Sequence, residues 1–172
     1  VGLSDRLASY VGWLLPVGTP LALVLPDPID EAADEAVAQL VRIGFDAVVG
    51  VLDGGMDAWL AAGEPVRAWP TTSGRALAAG RAADAGPNPP PYLDVRDPHE
   101  WAETGTAPGA ATIPFWDLPT HLAEMPRDAT VTVMCKAGGR ASTAASLLEA
   151  AGIDVRVVTR GGAPDLAAPR RG

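Results

Sequence analysis

The chain has 172 residues, 48% of them hydrophobic, which is enough apolar material for one ordinary domain or two small ones. Its net charge of -8 argues against binding a phosphate backbone. A single cysteine excludes an internal disulfide, and with only two histidines it also excludes a cysteine/histidine zinc site of usual spacing.

Residues 4–15 carry apolar side chains at helical spacing behind a candidate N-cap, Ser4, and Pro16 ends them. Leu21–Leu25 is a short apolar run suited to a buried strand. After the turn-like 26–30, a helix is expected from Ala32 to Ile43, closed by Gly44. Residues 46–55 read as a strand ending in a glycine pair, and 56–63 as a short helix stopped by Gly63. From Trp69 the composition changes: 71–85 can form an Ala-rich helix capped by Ser73, and the proline run 87–91 cannot be regular structure. Residues 92–97 restart as a strand, 98–105 as a helix, 111–113 as a short strand and 117–125 as a helix. Residues 130–134 are the clearest strand of this half. A helix from Ala141 to Ala151 follows, stopping at Gly152, then a strand at 154–158 and a basic tail.

Strands alternating with helices at these lengths predict an α/β fold with a central parallel sheet flanked by helices. An internal repeat also emerges. Strand, helix, Gly44 and Gly54–Gly55 match strand, helix, Gly152 and Gly161–Gly162, at separations of 108 and 107 residues. Two tandem copies are expected, 1–66 and 67–172, the first truncated at its N-terminus. Charge divides the same way: through Val66 there are ten acidic residues against two basic ones, and eleven of each thereafter. Anion chemistry therefore belongs to the second half. No apolar run reaches the ~18 residues of a membrane span, and no basic-then-apolar start resembles a signal peptide. A cytoplasmic protein without membrane or nucleic-acid partners is expected. The chain opens on a helix-like segment without an initiating Met, so a piece of a longer protein is expected.

The chemistry centres on Cys135, delivered to the carboxyl end of a strand, where open α/β sheets bind ligands. Between Cys135 and Arg140 lie Lys136, Ala137, Gly138 and Gly139. Two adjacent glycines let the backbone curl so that amide N–H groups converge into an anion-binding nest. The following helix start adds its partial positive charge. Such a cradle favours the thiolate and can hold an anionic substrate or a charged persulfide. A lone cysteine after a strand is usually a small buried hydrophobe. The glycine pair between two cations argues for chemistry here instead.

In order and spacing, 93–101, 104–114, 135–142 with its helix, and 157–162 resemble rhodanese domains across about residues 67–168. The resemblance implies a rhodanese-like α/β fold and a sulfurtransferase in which Cys135 forms the persulfide and 135–140 the active-site loop. Donors would be thiosulfate or a related small sulfur anion or persulfide, and the acceptor a thiol or cyanide. It implies no cofactor and no metal. Cysteine-dependent phosphatases, including rhodanese-like ones, place five residues between Cys and Arg; this chain has four, which favours sulfur transfer. Asp94 and Arg96 match the family's Asp-Val-Arg signature and Glu100 its nearby acid, in the role of ion pairs supporting the loop. Thr106 and Ala107 depart from the family's histidine and isoleucine, and Leu166 stands where an aromatic residue is common. His99 and His121 read as surface residues, Trp101 and Trp116 as core or pocket wall.

In the first copy the cysteine position is expected at Pro26 or Asp27, and Asp30, Glu31, Asp34 and Glu35 would repel an anion. Residues 11–16 and 52–59 resemble tandem rhodanese segments found behind a metallo-β-lactamase-fold domain in bacterial fusion proteins, where that domain processes glutathione persulfide. This resemblance implies a fused upstream domain of that kind as a partner. The alternative function is then a non-catalytic sulfur-binding or regulatory module of such an enzyme.

Overall fold

Leucine- and valine-rich runs, each followed by a helix that lays an apolar stripe over them, give two separate parallel sheets. The computed structural model describes residues 1–80 and 91–166. The chain divides into two units between Ala68 and Trp69.

The first unit comprises α1 (Leu7–Leu14), β1 (Leu21–Leu23), α2 (Ile29–Val41), β2 (Val48–Val51) and α3 (Gly55–Ala61). β1 and β2 pair in parallel as a two-stranded sheet. Leu7, Val11, Ala36, Leu40 and Phe45 form its core. Ser4 does not cap α1. Its carbonyl accepts the Leu7 N–H at 2.9 Å and its Oγ the Arg6 N–H at 3.3 Å, so it builds a turn ahead of the helix. α2 starts three residues earlier than expected. Pro28 occupies its N-cap position, and Asp30 and Glu31 fill the first turn, where the helix dipole favours acids.

The second unit comprises β3 (Thr71–Ser73), α4 (Gly74–Gly80), β4 (Tyr92–Asp94), α5 (Pro98–Thr104), β5 (Ala111–Thr112), α6 (Leu118–His121), β6 (Val131–Met134), α7 (Gly139–Ala150), β7 (Val155–Arg160) and α8 (Ala163–Leu166). A single 3-10 turn, Leu122–Glu124, extends α6. The five strands are ordered β3-β7-β6-β4-β5, and every neighbouring pair is parallel. Central β6 is buried along its whole length, as strands of a parallel sheet covered on both faces are. α7 packs on β6 and β7 and buries Ala141, Ala144, Ala145 and Leu148, an i, i+3, i+4, i+7 stripe whose small residues let the helix come close. Leu77, Tyr92, Met134, Val158, Ala163 and Leu166 belong to the core beneath α4 and α8.

One expectation fails at the unit's start. Thr71–Ser73 is an edge strand on β7 rather than the beginning of a helix, with the Val157 N–H donating to Pro70 O at 2.9 Å. Sheet pairing outweighs the local helical preference there. Ser73 still caps the helix that follows, its Oγ accepting the Ala76 N–H at 3.1 Å. The rest of the expected Ala-rich helix (81–85), most of the proline run and the basic tail lie outside the described residues. No described helix is long and apolar enough to cross a membrane.

Candidate active site

β6 ends at Met134, whose carbonyl still accepts the Val95 N–H at 3.0 Å, so Cys135 is the first residue to leave the sheet at its carboxyl edge. Cys135 is only 2% exposed. Its Sγ accepts the Gly138 N–H at 3.1 Å. That contact depends on Gly138 being glycine. Its φ is +97°, and a Cβ there would lie 2.9 Å from Thr159 O. Gly138 O then accepts the Ser142 N–H at 2.8 Å and α7 begins, with Gly139 and Arg140 in its first turn. The sulfur thus accepts the Gly138 amide N–H at the start of a helix, an arrangement that stabilises negative charge.

The loop is held from the other side by the β7–α8 turn. The Ala163 N–H donates to Cys135 O at 3.0 Å, and any side chain at Gly162 would collide with that same carbonyl. Gly162 also donates its N–H to Asp165 Oδ2 at 3.2 Å. The expected motif included the 161–162 pair. Its steric duty under Cys135 and the contribution of Thr159 and Ala163 come from a neighbouring strand, which sequence spacing alone does not disclose.

The charged residues divide into a buried pair, a half-buried pair and an exposed cation. Asp94 and Arg96 are 0% and 1% exposed. The Arg96 guanidinium binds both Asp94 oxygens, donates to Thr104 Oγ1 and to Gly105 O at 2.7 Å each, and so ties the end of β4 to the end of α5. Asp97 and Glu100 form a capping box on α5: the Asp97 side chain accepts the His99 N–H, and Glu100 Oε2 accepts the Asp97 N–H. The same Glu100 carboxylate receives Arg140 bidentately, with the second contact at 2.9 Å. Hydrogen bonding from Arg140 holds the Glu100 carboxyl below the usual carboxylate range, against the opposing effect of burial. The Asp97 amide and the Arg96 charge act in the same direction as Arg140.

Arg140 was expected to hold an anion, but its guanidinium is engaged by Glu100, 40 positions upstream. Lys136, the only lysine in the chain, is exposed and forms no ion pair with a described residue. Ala137 and Gly139 are exposed and Gly138 is buried. His99 and His121 lie apart from the site, near Glu103 and Glu124 at 3.0 and 3.2 Å. Ala107 is buried and Leu166 is part of the core. Among the described residues no group of three or more His, Cys, Asp or Glu side chains could hold a metal.

Two backbone features of this loop also occur in the first unit, which has no cysteine. A Cβ at Gly55 would meet Leu25 O at 2.8 Å, as one at Gly162 would meet Cys135 O. Leu21 donates its N–H to Ala47 O, as Val131 does to Asp154 O. By these two contacts Leu25 answers to Cys135, next to the expected Pro26 or Asp27.

Residues 78–163 match the Rhodanese-like domain family. Among solved structures, a protein of Staphylococcus saprophyticus subsp. saprophyticus is 34% identical over 54% of this chain and 88% of its own, with a TM-score of 0.48. A rhodanese-like domain protein from Staphylococcus aureus is 27% identical over 54% and 86%, with a TM-score of 0.48. Reduced CoADR-RHD of Bacillus anthracis is 28% identical over 54% of this chain and 16% of its own, with a TM-score of 0.46. No curated protein matches the chain.

Proposed function

Because the chain belongs to the rhodanese-like domain family, we propose that its second unit is a sulfurtransferase working through Cys135. The observation that carries this reading is the Gly138 N–H on Sγ at 3.1 Å, at the start of α7 and within a loop of four residues between Cys135 and Arg140. The Cys135 thiolate attacks the outer sulfur of thiosulfate, the S–S bond breaks, and sulfite leaves with the bonding pair. Loop amides hold the anionic Cys135 persulfide. An acceptor thiolate or cyanide then attacks its outer sulfur, leaving as a persulfide or thiocyanate and restoring the thiolate. This is two-step covalent catalysis with ping-pong kinetics. Lys136 is the charge that draws the donor in, while Arg140 and Glu100 position the loop. The four-residue loop disfavours phosphate-ester hydrolysis. The first unit is read as a copy of the same strand-helix-strand-helix element that lacks the chemistry, and the whole as a cytoplasmic protein, where a free thiol persists.

The burial of Cys135, 2% exposed, favours a second reading. In it the unit stores a persulfide for a fused metallo-β-lactamase-fold partner and turns over slowly by itself. Steady-state assay with thiosulfate and cyanide separates the two. The sulfurtransferase gives parallel double-reciprocal lines, Cys135→Ser lowers turnover to background, and Lys136→Ala raises KM for thiosulfate ~10-fold with kcat little changed. Negligible turnover in the parent chain, with Cys135 still taking up sulfur, selects the second reading.

A further inference from the structure

Cys135 is 2% exposed, so a donor reaches its sulfur over the residues that border the loop. Within the loop Lys136, Ala137 and Gly139 are exposed, and a Cβ at Gly139 would meet nothing within 4 Å. Another border belongs to the end of β7. β6 and β7 pair in parallel, with Val131, Thr132 and Val133 opposite Val155, Arg156 and Val157. Continued by two residues, this register sets Thr159 beside Cys135. Gly138 bears the placement out: its N–H reaches Sγ at 3.1 Å, and a Cβ on it would lie 3.0 Å from the Thr159 Cα. Alternation then fixes the face. Met134 and Val158 belong to the core beneath α4 and α8. Successive strand residues point to opposite faces, so Thr159 points to the face on which α7 packs and the loop enters its helix. There it is exposed, and its hydroxyl forms no hydrogen bond with a described residue. The first unit, which has no cysteine, carries Leu52 at the same distance from its glycine pair. The hydroxyl accompanies the thiol.

Resting on the reading of Cys135 as a sulfur carrier, we infer that Thr159 selects the donor. Its hydroxyl donates a hydrogen bond to a sulfonate oxygen of thiosulfate, or of another donor whose leaving sulfur bears oxygens. The Cys135 thiolate attacks the outer sulfur, the S–S bond breaks, and sulfite leaves with the bonding pair, while the Thr159 proton stays on its own oxygen. Negative charge builds on the sulfonate oxygens as that bond breaks. The hydrogen bond is therefore stronger in the transition state than in the bound donor, and it speeds the step. An alkyl persulfide leaves as a thiolate, and its leaving sulfur bears carbon instead of oxygens, so the hydroxyl gives it nothing. Lys136 attracts anions of either kind, and Thr159 tells them apart.

The test measures how fast the full, reduced chain gains one sulfur on Cys135, by quenched intact-mass spectrometry, from thiosulfate and separately from glutathione persulfide. Thr159→Val keeps the β-branched shape and removes the hydroxyl; Thr159→Ser keeps the hydroxyl. The expected result is that Thr159→Val slows loading from thiosulfate about tenfold, the worth of one hydrogen bond to a charged group. Loading from glutathione persulfide stays within about twofold of the parent, and Thr159→Ser loads from both donors at close to the parent rates. Equal slowing with both donors in Thr159→Val overturns the inference and makes Thr159 a structural residue. So does an unchanged thiosulfate rate in Thr159→Val, or a Thr159→Ser chain as slow as Thr159→Val. A parent chain that loads only from the persulfide overturns donor selection by Thr159 and leaves Cys135 as the carrier. A parent chain that loads from neither donor overturns the reading of Cys135 itself, and this inference with it.

Discussion

The chain leaving β1 and the chain leaving β6 meet the same backbone constraint and come out with opposite chemistry. At each, a strand-end carbonyl lies against the second glycine of a pair, Leu25 under Gly55 and Cys135 under Gly162. After Leu25 come Pro26, Asp27 and Pro28; after Cys135 come Lys136, Ala137 and Gly138. Two prolines delete two amide donors from the first loop, whereas in the second the Gly138 N–H reaches the sulfur. The helix starts differ in sign too: Asp30 and Glu31 begin α2, whereas Arg140, countered by Glu100, begins α7. The two loops thus differ in amide donors and in charge, while each lies between a strand and a helix.

The sharpest way to separate the units is through what holds each together. Asp94→Ala leaves the Arg96 guanidinium buried without its carboxylate, and loss of one partner from a buried pair costs ~3–5 kcal/mol. Chemical denaturation followed by hydrogen exchange should show the second unit destabilised by that amount. The first, whose buried polar residue is Gln39, should be unmoved. Equal losses in both units would mean they do not fold separately.

A matched pair of substitutions tests the shared glycine. Gly162→Ala and Gly55→Ala each push a methyl group against a strand-end carbonyl, at an expected cost of ~1–3 kcal/mol by overpacking or strained backbone. Sulfur transfer should fall at least ~10-fold in Gly162→Ala and stay unchanged in Gly55→Ala. A fall in both would contradict the assignment of chemistry to one loop.

A smaller effect is expected at Glu100. Its carboxyl is held low in the folded chain, so its stabilising contribution is complete above the unfolded value and is lost as pH falls through the folded one. Glu100→Gln should cost ~1 kcal/mol at neutral pH, its ion pair being partly exposed. It should also flatten the acid limb of the stability–pH curve. An unchanged acid limb would show that Glu100 is not held low in the folded chain.

Much of this arrangement is written locally. Valine-rich 131–134, the glycines after Cys135 and the stop at Gly152 each act within a few residues, and sequence reading finds them. The α5 capping box, equally local with Asp97 and Glu100 three apart, was not read from the sequence. What is not legible is long-range. Thr71–Ser73 becomes a strand only because β7 offers an edge. Arg140 is drawn to Glu100 across 40 positions, so the loop's cation could not be told from a substrate ligand by spacing. Thr104 and Gly105 are tied to Arg96 by the return of α5, and nothing around residue 104 advertises that contact. The start of α2 was misplaced because 26–30 has turn composition, although Pro28 followed by two acids also suits a helix start.

The central claim is that Cys135 carries sulfur, and intact-mass spectrometry of the reduced chain after incubation with thiosulfate tests it most directly. The account predicts an increment of one sulfur atom, mapped to Cys135, removed by cyanide and absent in Cys135→Ser. A chain whose mass is unchanged by thiosulfate and by a low-molecular-weight persulfide would contradict it.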